Sequence, residues 1–132
     1  MIHVRWILTA VAVVAIAACA SDSIGSPQGG GSLVLRLTTP HGDDGALTFE
    51  LSGPSISTVS APDASLRLFT RRLDESTVVG VVVGALANGA LATLRVQEVS
   101  TVSSYSARVL EVADREDGLR ASLSGYALSV TR

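Results

Sequence analysis

The sequence predicts an all-β protein, an antiparallel β-sandwich of eight or nine short strands, and three observations carry that reading. From Leu33 onward the apolar residues recur with a period of two, turn-forming residues interrupt the alternation at short intervals, and no stretch sustains a helical period. Short strands and the absence of aromatic girdles favour a sandwich over a membrane barrel.

Taken in order, Leu33, Leu35 and Leu37 alternate with Val34, Arg36 and Thr38 in a first strand. Pro40-His41-Gly42-Asp43-Asp44-Gly45 concentrates turn formers. Leu47, Phe49 and Leu51 then alternate with Thr48, Glu50 and Ser52, and Gly53-Pro54 ends this second strand. A weaker strand is expected over Ile56–Ser60. After Ala61-Pro62-Asp63-Ala64, alternation resumes over Ser65–Arg71, with Leu66 and Leu68 opposing Arg67 and Phe69. Thr77–Val83 is nearly all β-branched around Gly80, the pattern of a central strand covered on both faces or carrying a bulge. Asn88-Gly89 marks a turn or tight hairpin into Ala90–Val99, where Ala92, Leu94 and Val96 alternate with Thr93, Arg95 and Gln97. Between Val109 and Leu110 the apolar face inverts, which a β-bulge explains. Asp114–Gly118 is a charged turn. Leu119, Ala121 and Leu123 read as a short strand, and Tyr126, Leu128 and Val130 as the last one.

Ahead of this pattern, His3 and Arg5 precede an apolar run from Trp6 to Ala18 that is shorter than the roughly 20 residues of a membrane-spanning helix. That layout is a signal peptide over residues 1–18. The run ends in Ile16-Ala17-Ala18-Cys19, which holds the only cysteine and resembles the bacterial lipoprotein box. The resemblance implies cleavage before Cys19, lipidation of its sulfur, and a first mature residue anchored in a membrane. With Ala20 rather than aspartate following, it further implies the outer membrane, if the cell has one. Residues 19–32, rich in Ser, Gly, Asp and Pro and ending in Gly29-Gly30-Gly31-Ser32, read as a flexible tether. Such a tether holds the domain roughly 20 Å from the lipid surface. Residues 33–132 are then the sandwich domain, expected to be monomeric and long enough to fold without a disulfide or metal.

All ten basic residues are arginine, and the formal net charge is −2. Arg36, Arg67, Arg95, Arg108 and Arg120 are dispersed singly, whereas non-specific nucleic-acid binding needs clustered positive charge. Nucleic acid is therefore not an expected partner. A serine triad needs a positioned histidine, but His41 sits alone in a glycine-rich turn and no Gly-x-Ser-x-Gly elbow is present. No catalytic residue and no cofactor are expected, and the chain reads as a non-enzyme. Asp43 and Asp44 are weak candidates for a Ca²⁺ site, since carboxylates are its usual ligands, but they also suit a turn without any metal. Tyr105 and Tyr126 fall in phase with core positions, as edge or core residues whose hydroxyls reach the surface. Without exposed aromatic faces, carbohydrate binding is less expected than protein binding.

Gly45-Ala46-Leu47-Thr48-Phe49-Glu50-Leu51, Asn88-Gly89-Ala90-Leu91-Ala92-Thr93-Leu94 and the order of the strands resemble the cohesin type of β-sandwich over Leu33–Val130. That resemblance implies a jelly-roll-like sandwich that binds proteins at cell surfaces through an exposed sheet face. The family has no fixed motif on that face, so no binding residue is carried over. Alternation alone places Arg67, Arg95 and Arg108 outward as candidate binding residues. The expected function is thus a membrane-tethered lipoprotein of the cell envelope, its domain a protein-binding or adhesion module with a partner in the envelope. The alternative is a structural subunit of the envelope or of a multi-protein surface complex.

Overall fold

The computed structural model describes residues 30–132; the leader, Cys19 and most of the tether lie outside the described residues. Eight strands follow one another: β1 (Gly31–Thr38), β2 (Asp44–Ser52), β3 (Ile56–Ser60), β4 (Arg67–Asp74), β5 (Thr77–Val83), β6 (Gly89–Val96), β7 (Ser106–Asp114) and β8 (Ala127–Thr131). A single 3₁₀ turn at Val102–Ser104 precedes β7. The strands form two four-stranded sheets, ordered β3-β6-β1-β8 and β4-β5-β2-β7, and every pairing is antiparallel. The all-β sandwich expected from the period of two is the fold.

β1 begins at Gly31, which pairs with Val96, while Ser32 pairs with Arg95. Two residues assigned to the tether are therefore strand. Leu33, Leu35 and Leu37 of β1 and Leu47, Phe49 and Leu51 of β2 point into the interior, where they meet Val78, Val82, Leu91, Leu94, Val96 and Val112. The period of two thus becomes one apolar layer between the sheets. Two of the five register shifts in the pairings change which apolar residues it holds. Thr48 pairs with Glu111 and Phe49 with Val109, leaving Leu110 as the extra residue that the inverted face of this segment required. On β6, Leu35 pairs with Ala92 and Arg36 with Ala90, so Leu91 is the second extra residue, and both Leu91 and Ala92 are buried.

Three expectations need correction. Asn88-Gly89 is not a hairpin, because β5 and β6 lie in different sheets. Residues 84–88 instead cross between the sheets and bury Leu86 on the way. Only β4 and β5 are joined within one sheet, through Glu75-Ser76. Second, β5 is an inner strand, as expected, but its burial alternates and its pairing registers with β2 run without a bulge. Gly80 serves packing: a Cβ there would overlap the buried ring of Phe49. Third, Leu119, Ala121 and Leu123 form no strand. Leu119 makes one isolated bridge to Ala113 and is 70% exposed. The interaction that draws this segment out of register is a buried carboxylate, described below.

Gly80→Ala should lower stability by about 1–3 kcal/mol through overpacking against Phe49. Gly42→Ala, whose Cβ would meet nothing within 4 Å, should change it by less than about 0.5 kcal/mol. Leu94→Asp, at a fully buried position, should prevent folding. Thermal melts followed by circular dichroism rank the three; a Gly80→Ala melt equal to wild type would contradict the packing described.

Candidate functional site

Where the chain leaves β1 and enters β2, it places Asp44 at the first position of β2 with its side chain fully buried. A carboxylate without partners in such a place would cost several kcal/mol, and the fold supplies four donors. Asp44 Oδ1 accepts from Tyr126 Oη at 2.8 Å and from Arg120 Nε at 3.1 Å and Nη2 at 2.9 Å. Oδ2 accepts from Thr39 Oγ1 at 2.5 Å. Arg120 Nη2 also contacts Asp43 Oδ1 at 2.5 Å. The backbone joins in: the Leu86 N–H donates to the Asp44 carbonyl at 3.0 Å and the Arg115 N–H to the Asp43 carbonyl at 2.9 Å. Asn88 Oδ1 accepts from the Thr39 N–H at 2.7 Å. Three connections, β1–β2, β5–β6 and β7–β8, therefore converge on Asp44 and Thr39, the first and third through the carboxylate and the second through the backbone.

Burial by itself would raise the pKa of Asp44. The bonds from Thr39, Tyr126 and Arg120 outweigh it and hold the carboxyl below the ordinary aspartate value. Arg120 is correspondingly raised, first by its bond to Asp44 and then by that to Asp43. Tyr126 is raised by burial and by donating to the carboxylate.

This arrangement answers two questions about the candidate residues. Asp44 is more than a turn residue: both of its oxygens are taken by donors, so a cation there would have to compete with the Arg120 guanidinium. Among the described residues no group of three or more His, Cys, Asp or Glu side chains could hold a metal ion. Both tyrosine hydroxyls are held by partners within the domain. Tyr126 donates inward to Asp44, and Tyr105 donates to the Pro54 carbonyl at 2.6 Å. His41 lies against Tyr126, with ring centroids 5.8 Å apart. Asp114 holds its own turn by accepting from the Glu116 and Gly118 N–H groups at 2.9 and 2.8 Å. The cluster locks one end of the sandwich.

The candidate arginines point elsewhere. Arg67, Arg95 and Arg108 are all exposed, as alternation requires, but only two of them share a sheet face, and those two stand on its opposite edge strands. Arg95 lies on the outer face of the β3-β6-β1-β8 sheet, opposite Ser32 and Thr58. Ser60, Thr93 and Thr131 share that face, which is mostly hydroxyl-bearing. Arg67 and Arg108 lie on the outer face of the other sheet. There Arg108 forms a two-point pair with Glu50 at 3.2 Å, and Arg71 stands in the same row, opposite Val79.

Between these charges lies an apolar surface that the alternation did not announce as a site. Phe69 pairs with Val81 and Arg67 with Val83, so Phe69, Val79, Val81 and Val83 form one outward patch. Phe69 is 62% exposed and Val83 41%, with Leu73 at 54% on the same edge strand. Across the sheet, Ala46 and Ala113 extend the patch to exposed Leu119. Among the described residues, the four large exposed hydrophobics, Phe69, Leu73, Val83 and Leu119, all belong to this sheet or to the segment bridged to it. Phe69 is also the exposed aromatic that the sequence was not expected to have. Its signal was present in the phase of Phe69 with Arg67 and Arg71, opposite to Leu66 and Leu68.

No family model, no curated protein and no solved structure matches this chain.

Since Asp44 titrates lower folded than unfolded, its contribution is complete above the unfolded value near pH 4. That contribution is lost as pH falls through the lower, folded value. The melting temperature should therefore drop as pH falls below about 4, and Asp44→Asn should melt lower at pH 7 with a flatter acid limb. Asp44→Ala should cost about 3 kcal/mol or more by leaving its buried donors unpaired. Denaturant titrations at pH 7 and pH 3 check both; an Asp44→Asn protein as stable as wild type at pH 7 would count against the lock.

Proposed function

We propose that the protein is a lipid-anchored component of the cell envelope whose sandwich domain binds another protein through the outer face of the β4-β5-β2-β7 sheet. The observation that carries the reading is the gathering of Phe69, Val79, Val81 and Val83 on one sheet face, flanked by Arg67, Arg71 and Arg108. The opposite sheet presents serine, threonine and arginine instead. An apolar centre with a charged rim is the composition of protein interfaces, in which aromatic residues and arginine are enriched. A sugar site would want several ring faces with polar groups between them, and here one phenylalanine stands among valines.

The anchor rests on Ile16-Ala17-Ala18-Cys19 and the apolar run before it. The cohesin resemblance adds an expectation in the same direction, protein binding at a cell surface. The reading names a binding module and no reaction.

Two measurements check it. Cys19→Ser should abolish incorporation of labelled fatty acid and release the protein from membranes; wild-type protein that takes up no label would refute the anchor. In an envelope pull-down at two salt concentrations, Phe69→Ser combined with Val83→Ser should lose the captured partner. Arg67→Ala and Arg108→Ala should each weaken capture, most at low salt, where exposed charges are least screened. Arg95→Ala, on the other sheet, should leave capture unchanged. Loss on Arg95→Ala with retention in the Phe69/Val83 variant would move the site to the other face.

A further inference from the structure

We infer that β4 is a docking edge that accepts an acidic, extended protein segment as an added strand, which deepens the protein-binding reading and rests on it. A sheet edge exposes a row of backbone N–H and C=O groups that a partner strand can pair with. Four strands stand at edges here, and they differ. β3 and β8 have five residues each. The β3 edge is also occupied, because Arg72 Nη2 donates to the Ile56 carbonyl at 2.5 Å and to that of Ser57 at 3.4 Å. β7 has nine residues, but its end is bridged by Leu119 at Ala113 and it lies against β8. β4 offers eight residues, seven of them exposed, and no described element covers it.

The side chains of β4 specify what could pair there. On the outer face Arg67, Phe69 and Arg71 follow at alternate positions, opposite Val83, Val81 and Val79 of β5. Neither Arg67 nor Arg71 has an ion-pair partner among the described residues. Residues directly opposite in an antiparallel pair have Cβ atoms about 5 Å apart, close enough for opposite charges to attract and like charges to repel. An incoming strand would therefore match best with carboxylate, apolar and carboxylate side chains at alternate positions. The pattern is the same read in either direction.

A second copy of β4 fits poorly. Centring the pairing on Phe69 sets Arg67 opposite Arg71, and centring it on Arg71 stacks that residue on itself. Centring it on Thr70 leaves each Arg71 with Arg67 and Arg71 of the copy on its diagonals. The charges that guard the edge against its own kind thus select an acidic partner.

The test uses the full chain in detergent and the fluorescent peptide Thr-Glu-Thr-Val-Thr-Glu-Thr. A peptide with lysine for both glutamates serves as control, as do two peptides N-methylated at alternate residues, one for each phase. The glutamate peptide should bind at least tenfold more tightly than the lysine peptide, and Arg67→Ser with Arg71→Ser should remove at least that tenfold without moving the melting temperature. One phase of N-methylation should abolish binding and the other leave it, because only alternate N–H groups of an added strand face β4. Equal binding of both charge versions, or unchanged binding of both methylated peptides, would overturn strand addition. So would a dimer forming through β4, or uptake by anionic vesicles through Arg67 and Arg71 with no peptide binding. If the peptides fail while the Phe69/Val83 variant still loses its envelope partner, only strand addition falls; if both fail, the protein-binding reading falls with it.

Discussion

The Asp44 carboxylate is the constraint around which one end of the sandwich is arranged. It is fully buried, so its charge must be answered inside the protein, and the answers come from residues five, 76 and 82 positions away. Arg120 can reach Oδ1 only if the chain between β7 and β8 turns inward at that residue. Leu119, its neighbour, is then left outside at 70% exposure. A strand over Leu119–Leu123 would have buried more apolar surface, but it would have left the carboxylate short of its cation. The cost of an unpaired buried charge, several kcal/mol, exceeds the roughly 1.5–3 kcal/mol of one buried leucine. Electrostatics therefore overrides patterning here.

The same lock gives the molecule a direction. β1 begins at Gly31 and delivers the chain to the Asp44 end eight residues later, about 25 Å away at the usual rise of a strand. The converging loops hold the lock through Thr39, Asn88, Arg120 and Tyr126, which turn their polar atoms inward or toward one another. On the proposed reading, a partner would meet the sheet surface between the two ends. The two outer faces are unlike: hydroxyls surround Arg95 on one, whereas valines and Phe69 lie between arginines on the other.

Most of the strands were legible because a half-buried strand writes its period directly into the sequence. β1 and β2 follow the alternation of their large apolar residues, β6 follows Ala92, Leu94 and Val96, and the inverted face at Val109-Leu110 gave away the bulge in β7. Sheet membership was not legible. Asn-Gly is equally at home in a hairpin and in a crossing, and only the partners of β5 and β6 tell the two apart. The lock was hidden for a related reason: aspartate beside glycine has the composition of a turn, and its burial depends on Arg120 and Tyr126, far away in sequence. The candidate site was half legible. Alternation put Arg67, Arg95 and Arg108 outward, but facing direction within a strand says nothing about which sheet the strand joins, so Arg95 fell on the other face. Phe69 was passed over although its phase was written beside it, because a lone aromatic is more often core than surface.

The all-arginine composition acquires a physical meaning on the β4 face. Phe69, Val81 and Val83 on a solvent-facing sheet would invite association with any apolar surface. Arg67 and Arg71, two positions to either side of Phe69 on the same face, put charge and bulk beside the ring. An arginine stem can lie along apolar neighbours while its planar guanidinium stacks on an aromatic face, whereas lysine carries a compact, strongly hydrated charge that leaves the ring bare. The guanidinium also keeps its forked donors available for a carboxylate. Two arginines around one phenylalanine can thus shield the patch from nonspecific contact and still recognise an acidic strand, a combination that lysine at the same positions would not supply.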